Sequence, residues 1–282
     1  MNAYLVSHNG MGDNLYMIGA IRFLLNFYEK IFFLCKNKYY PNIKLFFIDN
    51  PNIICVPFNE SNEIDEIKKI IQNNYNMNDI FICGDIMKLF LKNKITNKDF
   101  LNYKIIDKNY KIDYDNLTTD NYSFIENFYK DINLNLTHFF EYFHIPSTQE
   151  SLELYNTIKN YYIIFIQLKS SDGISLNISS LLSKYLYDSN TILICNDKNL
   201  YDINNKTNDI EIKFNICKQF VYNKIINYND VIKNSNEIYI IDSCFIGIIL
   251  PYLKTNKLKA NKIRIILRNN AQNIILGLSS NK

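Results

Sequence analysis

Seven residues near the N-terminus, His8-Asn9-Gly10-Met11-Gly12-Asp13-Asn14, combine what chemistry at a backbone turn requires. They lie between an apolar run, residues 3–6, and an amphipathic run, residues 15–27. In the second run Leu15, Ile18, Ile21, Leu24 and Leu25 share one face, so the pattern predicts strand, turn and helix. A glycine-rich turn entering a helix gathers backbone N–H groups at the positive end of the helix dipole. That suits an anion, or a polar substrate that approaches the main chain closely. Asp13 puts a carboxylate at the helix start, as a cap or as a base. His8, beside the turn, offers an imidazole to orient a substrate.

Two nucleotide motifs are excluded by the same residues. A dinucleotide fingerprint needs a third glycine where Leu15 stands, and an acidic residue after the second strand. The second strand, residues 31–35, runs instead into Lys36, Asn37 and Lys38. A P-loop needs Gly-Lys where this chain has Asn14-Leu15.

The elements that must position these residues alternate. Strands are predicted at residues 3–6, 30–35, 53–56 and 79–83, with helices at 15–27, 40–47 and 63–74 between them. This order implies a parallel sheet with right-handed crossovers. Residues 84–144 are less regular, with helices near 122–131 and 136–143, and residues 145–150 read as a linker that opens on Pro146. A second alternation follows: strands at 161–168, 191–195, 218–225, 237–242 and 262–267, and helices at 175–187, 228–234 and 244–253. The expectation is an α/β chain of two Rossmann-like halves, residues 1–146 and 147–282. Ligands of such sheets sit beyond the carboxyl ends of strands. That places residues 9–14, 169–173, 196–198 and 242–244 at functional edges, which would line one cleft if the halves faced each other.

Composition narrows the class. A 282-residue chain that is 48% hydrophobic can bury a sizeable core, and a net charge of +3 gives no electrostatic footprint for nucleic acid. Asn, Ile, Lys and Tyr are abundant, while the only arginines are Arg22, Arg264 and Arg268, the usage of a very AT-rich genome. Glycine is scarce, so Gly10 and Gly12, two of only 7, carry more information than any Asn or Lys. The six cysteines lack metal or redox spacing, and Cys35, Cys55, Cys83 and Cys195 each end an apolar run, as buried thiols of a reducing compartment do. No signal peptide is read, because Asp13 and the Asn-Gly turn interrupt the only early apolar run. No uncharged segment approaches the ~20 residues that span a bilayer. A cytoplasmic protein without a transmembrane segment is expected, in a host's cytoplasm if the genome is viral.

The first loop resembles the opening of GT-B fold glycosyltransferases, and within them the heptosyltransferase-like enzymes, whose first loop carries G-x-G-D. Residues 237–243, an apolar strand ending in Asp242-Ser243 and running into a helix, are similar to the second signature of that family. Phe128-Tyr129 and Phe143-His144-Ile145-Pro146 resemble the end of the first domain in sugar-transferase-like proteins. Cys244 and Gly247 stand where the family often has Gly and His, and Lys169 is the nearest match to its basic residue after the first strand of the second domain.

The resemblance implies two Rossmann-like domains: an acceptor domain, residues 1–146, and a nucleotide-sugar donor domain, residues 147–282. It implies transfer of a hexosyl or heptosyl group to a glycan, a lipid-linked sugar or another hydroxyl acceptor, with no cofactor and no nucleic-acid partner. Asp13 would be the base, and His8, Asn9, Gly10, Gly12 and Asn14 would bind acceptor. Lys169, Ser170, Ser171, Asp242, Ser243 and Cys244 would bind donor, the diphosphate meeting Ser243 and the N–H groups of Cys244 and Phe245. Each has a plainer alternative: Asp13 and Ser243 as helix caps, and residues 170–173 as an ordinary turn. Asp113-Tyr114-Asp115 matches the metal-binding D-x-D of GT-A enzymes, but one chance match is expected among 28 acidic residues, and no metal site is expected. His138 and His144 read as packing or surface residues. A non-catalytic nucleotide-sugar-binding or scaffold protein with a degenerate fold is the alternative function. A sugar-nucleotide epimerase is a third, with no catalytic acid identifiable for it.

Overall fold

The computed structural model describes residues 1–7, 10–73, 78–84, 123–171, 173–201 and 208–266. His8, Asn9, Asp113, Asp115 and Asp172 lie outside them. The chain divides into two compact units, Met1–Pro146 and Ser147–Lys282.

In the first unit, β1 (Asn2–Val6), β2 (Lys30–Lys36), β3 (Ile53–Phe58) and β4 (Asn78–Ile82) form a parallel sheet in the order β3-β2-β1-β4. The internal strands β1 and β2 are nearly unbroken apolar runs, as burial on both faces requires. Pro57 falls in β3 at the sheet edge, where a residue without an N–H is tolerated. The helices are α1 (Met11–Tyr16), α2 (Ile18–Leu24), α3 (Tyr40–Ile43), α4 (Glu63–Gln72), α5 (Ser123–Asp131) and α6 (Thr137–Glu141).

The single helix expected over residues 15–27 is two helices, broken at Met17. The cause lies far along the chain. The hydroxyl of Tyr129, on α5, donates to Tyr16 O at 2.8 Å and accepts from Ala20 N at 3.1 Å. Those two backbone groups would bond to each other in a continuous helix, and the buried hydroxyl stands between them. Gly19 then lies against the backbone of α6. A Cβ there would come within 2.5 Å of His138 O and 2.7 Å of Phe139 Cα. Arg22, also on α2, is nearly buried and donates through all three guanidinium nitrogens. It donates to both Asp49 oxygens at 3.1 and 2.8 Å, to Phe46 O at 3.0 Å and to His144 O at 2.9 Å.

In the second unit, β5 (Tyr162–Gln167), β6 (Thr191–Cys195), β7 (Glu237–Ile241) and β8 (Lys262–Ile266) form a parallel sheet in the order β6-β5-β7-β8. Its helices are α7 (Gln149–Ile158), α8 (Ser179–Tyr185), α9 (Asn208–Cys217), α10 (Asn229–Asn234) and α11 (Ile246–Lys254).

Three sequence expectations are corrected here. The expected linker over residues 145–150 runs into α7, capped by Thr148, whose Oγ1 accepts from Ser151 N at 3.0 Å. The helix is faint in sequence because its buried residues include Ser151, which donates to Asp230, and few apolar side chains. The strand expected at 218–225 is two short 3₁₀ turns, Lys218–Phe220 and Ile225–Tyr228, around a left-handed Tyr222 (φ 54°). Tyr222 N donates to Asn196 O at 3.0 Å, which ties the segment to the end of β6. The helix expected at 175–187 shortens to α8, because residues 168–170 and 174–176 pair with each other. Helix α9 was not anticipated at all: it buries Lys213 and exposes Ile212, which scrambles its apolar period. The Lys213 ammonium donates to the carbonyls of Leu186, Asp188 and Thr191 at 3.2, 2.6 and 3.2 Å.

At the amino end of the second sheet, the buried Glu237 collects the hydroxyls of Tyr162 (3.0 Å), Tyr185 (2.9 Å) and Tyr239. Burial alone would push this carboxyl up. The three hydroxyls and the Lys262 ammonium outweigh it, and its pKa lies below the ordinary glutamate value. The folded state therefore favours ionised Glu237. Its contribution is complete above the unfolded value and is lost as pH falls through the folded one. Glu237→Gln should flatten the acid limb of stability. Denaturant titrations between about pH 3 and 6 check this, and an acid limb as steep as the parent's rules it out. Among the described residues, no helix is long and apolar enough to cross a membrane.

Candidate functional site

In each sheet the chain leaves the unit's first strand in one direction and later comes back to pair on its other side. The chain goes from β1 to β2 on one flank and returns to β4 on the other, and from β5 to β6 and then β7. Crevices at such switch points, beyond the strands' carboxyl ends, are where open α/β sheets take ligands. The loops after β1, β5 and β7 carry all the candidate site residues.

After β1, Gly10 is extended (φ −78°, ψ 160°), so it needs no left-handed freedom. Its close contact is with the side chain of Asp13. Gly10 N donates to Asp13 Oδ2 at 2.8 Å, and a Cβ on Gly10 would meet that oxygen at 2.6 Å. Asp13, half-buried at the third position of α1, thus caps through one oxygen and adds a carboxylate to the switch point. Asn14 is 1% exposed. Its Nδ2 donates to Gly10 O at 2.5 Å, which orients the amide, and its Oδ1 has no partner among the described residues. Gly12, between them in α1, is half-buried. After β4, Gly84 takes φ 90° and its N–H donates to Asp131 Oδ2 at 2.7 Å. The only advance signal for this contact was a glycine following an apolar strand in a glycine-poor chain.

After β5 the chain makes a hairpin. Ser170 N donates to Ile174 O at 3.0 Å, Gly173 N to Ser170 O at 3.1 Å, and Leu176 N to Leu168 O at 2.9 Å. Gly173, at φ 87°, supplies the left-handed backbone that this turn uses. Ser170 Oγ is turned onto Ile174 O at 3.2 Å, so it serves the turn, while Ser171 is exposed. Lys169 Nζ lies 3.0 Å from Asp197 Oδ2, a buried carboxylate beyond β6. This partner was missed because nothing in the sequence links residues 28 apart on neighbouring strands.

After β7, Asp242 N continues the sheet to Ile266 O at 2.9 Å, and the carboxylate is half-buried. Ser243 does not cap α11, whose cap position is Phe245. It is 8% exposed, its carbonyl accepts from Ile246 N at 3.0 Å, and its Oγ has no partner among the described residues. Phe245 fixes the turn, packing edge-on against Phe165 and Tyr228 at 5.2 and 5.3 Å. The N–H groups of Cys244 and Phe245, expected to face an anion, bear on the Cys244 sulfur. Burial pushes that thiol up to about 11 and these N–H groups only partly offset it, so it is a neutral thiol near pH 7.

The other chemical groups are structural. His138 is buried and stacks on Phe23 at 3.9 Å, and burial lowers its pKa. His144 lies 3.5 Å from Asp49. Cys35, Cys55, Cys195 and Cys217 are pushed up to about 12, burial being the largest cause in each. Among the described residues no three His, Cys, Asp or Glu side chains gather as a metal site would require.

No protein-family model matches the chain, and no curated protein matches it significantly in sequence. Solved structures do resemble it. The ADP-heptose LPS heptosyltransferase II of E. coli aligns over 98% of this chain and 95% of its own, with a TM-score of 0.57 and 11% identity. A glycosyl transferase of family 9 from Veillonella parvula aligns over 99% and 91%, with a TM-score of 0.52 and 10% identity. At such identities the likeness establishes architecture: from end to end, the chain has the α/β fold of these two glycosyltransferases.

Proposed function

We propose that the chain is a glycosyltransferase that moves a hexosyl- or heptosyl-type sugar from a nucleotide-activated donor to a hydroxyl of a glycan or lipid-linked acceptor. The observation that carries this reading is the coincidence of motif and topology. In a chain sharing the full-length fold of two glycosyltransferases, the Asp13 loop and the Asp242-Ser243-Cys244 turn both fall at sheet switch points. The first unit binds the acceptor and the second the donor. The acceptor hydroxyl gives its proton to the Asp13 carboxylate as its oxygen bonds the anomeric carbon. The bond from that carbon to the diphosphate breaks, and the nucleoside diphosphate leaves with the electron pair. The reacting carbon passes through a cation-like state, as in glycoside hydrolysis. Ser243 Oγ donates to the leaving group.

No metal is assigned a role, so transfer should persist in chelator. Incubating the chain with a panel of nucleotide sugars and simple glycan acceptors, with and without EDTA, and weighing the products tests both points. Absence of transfer across the panel counts against the enzyme. Loss in EDTA with rescue by Mg²⁺ or Mn²⁺ moves attention to Asp113 and Asp115. One observation favours the non-catalytic alternative: the Lys169 ammonium is already paired with Asp197. Under that reading nucleotide binds and no product forms.

A further inference from the structure

Gln167, the last residue of β5, is 6% exposed. Its Nε2 donates to Lys169 O at 2.6 Å, so the carboxamide reaches past the strand end and its orientation is set. The other end, Oε1, has no hydrogen-bond partner among the described residues. Side chains two apart on a strand share a face. Phe165, two residues earlier, packs on Phe245 at 5.2 Å, so Gln167 is next in line on the face that meets the turn after β7. Ile240 is its register partner on β7, and Ser243, whose Oγ is likewise buried and unpartnered, follows just beyond. Two side chains, each more than nine-tenths buried, thus present unsatisfied polar atoms at one switch point. Burying such atoms without a partner costs stability, and native chains avoid it except where something else supplies the partner.

Resting on the nucleotide-sugar reading of this unit, we infer that Gln167 is a specificity-determining residue whose Oε1 accepts a hydrogen bond from an O–H or N–H of the donor. A carbonyl oxygen has only lone pairs to offer. It cannot pair with a phosphate oxygen, so it reads the non-phosphate part of the ligand, while Ser243, which can donate, is left for the diphosphate. Sugar hydroxyls and nucleoside hydroxyls or amino groups share the required chemistry.

The test is calorimetric titration of the full chain and of Gln167→Met, similar in length but without the acceptor. The probes are the ribonucleoside diphosphates and their common sugar conjugates. The expected loss is about three- to tenfold, the worth of one neutral hydrogen bond. A loss already present with the nucleoside diphosphate puts the contact on the nucleoside. A loss seen only with the conjugate puts it on the transferred sugar. Equal affinity of variant and parent for both probes overturns the inference while leaving the donor reading intact. No binding by the parent removes the donor reading and the inference together. Should Gln167→Met not fold, the side-chain Nε2 resonance of Gln167 in the labelled parent decides. It shifts when Oε1 accepts a bond, and a resonance unmoved at saturation overturns the assignment.

Discussion

Asp13→Asn is expected to lower turnover by about 10²–10⁴-fold, the usual cost of losing a general base. The substitution is chosen because it spares the local structure. Asp13 accepts the Gly10 N–H through Oδ2, and an asparagine oxygen in the same place keeps that cap. What it lacks is the charge and the capacity to take a proton. The melting temperature and the affinity for a nucleotide sugar should therefore stay near the parent's, since the residues proposed to bind donor belong to the other unit. Turnover within a few-fold of the parent would leave Asp13 as a cap alone. Reduced donor affinity would mean that the carboxylate acts in binding.

Tyr129→Phe should destabilise the first unit by about 2–6 kcal/mol, while altering none of the candidate site side chains themselves. The hydroxyl is the partner of both Tyr16 O and Ala20 N, in a fully buried setting. Its removal leaves two buried backbone groups without it, each worth about 1–3 kcal/mol. The helix could recover by closing a direct bond between those groups. That would turn α2 relative to α6, and Gly19 already lies where even a Cβ would come within 2.5 Å of the α6 backbone. Urea titration followed by a probe in the first unit measures the loss. A change below about 0.5 kcal/mol would mean that the two helices merge at little cost.

What the sequence revealed follows from how local each determinant is. Both sheets were legible because buried parallel strands write themselves as unbroken apolar runs, as in Tyr162–Gln167 and Glu237–Ile241. A capping role for Asp13 was legible because a cap and the helix start it serves lie within one turn. The break at Met17 was not, since its cause is Tyr129, more than a hundred positions away. Helix α7 was hidden because its inward side chains include a serine committed to Asp230, and α9 because a lysine points in and an isoleucine out. In the candidate site, Lys169 was visible and its partner Asp197 was not, since strand neighbours are set by topology. Gln167 was passed over because a glutamine closing an apolar run looks like the strand's polar end. Only burial and the Lys169 carbonyl distinguish it.

The Arg22 fork bears on how this chain has been written. Positive charge in this chain is carried almost wholly by lysine, and Arg22 is one of only three arginines, with Arg264 and Arg268. Lysine at position 22 would bring the same charge as a point on a flexible stem. It could not send parallel donors to both oxygens of Asp49 while reaching the carbonyls of Phe46 and His144 from the same plane. At this position the planar fork, and not the charge alone, makes the contact. In a chain that writes its positive charge almost entirely as lysine, an arginine held by four donated hydrogen bonds is as informative as a motif.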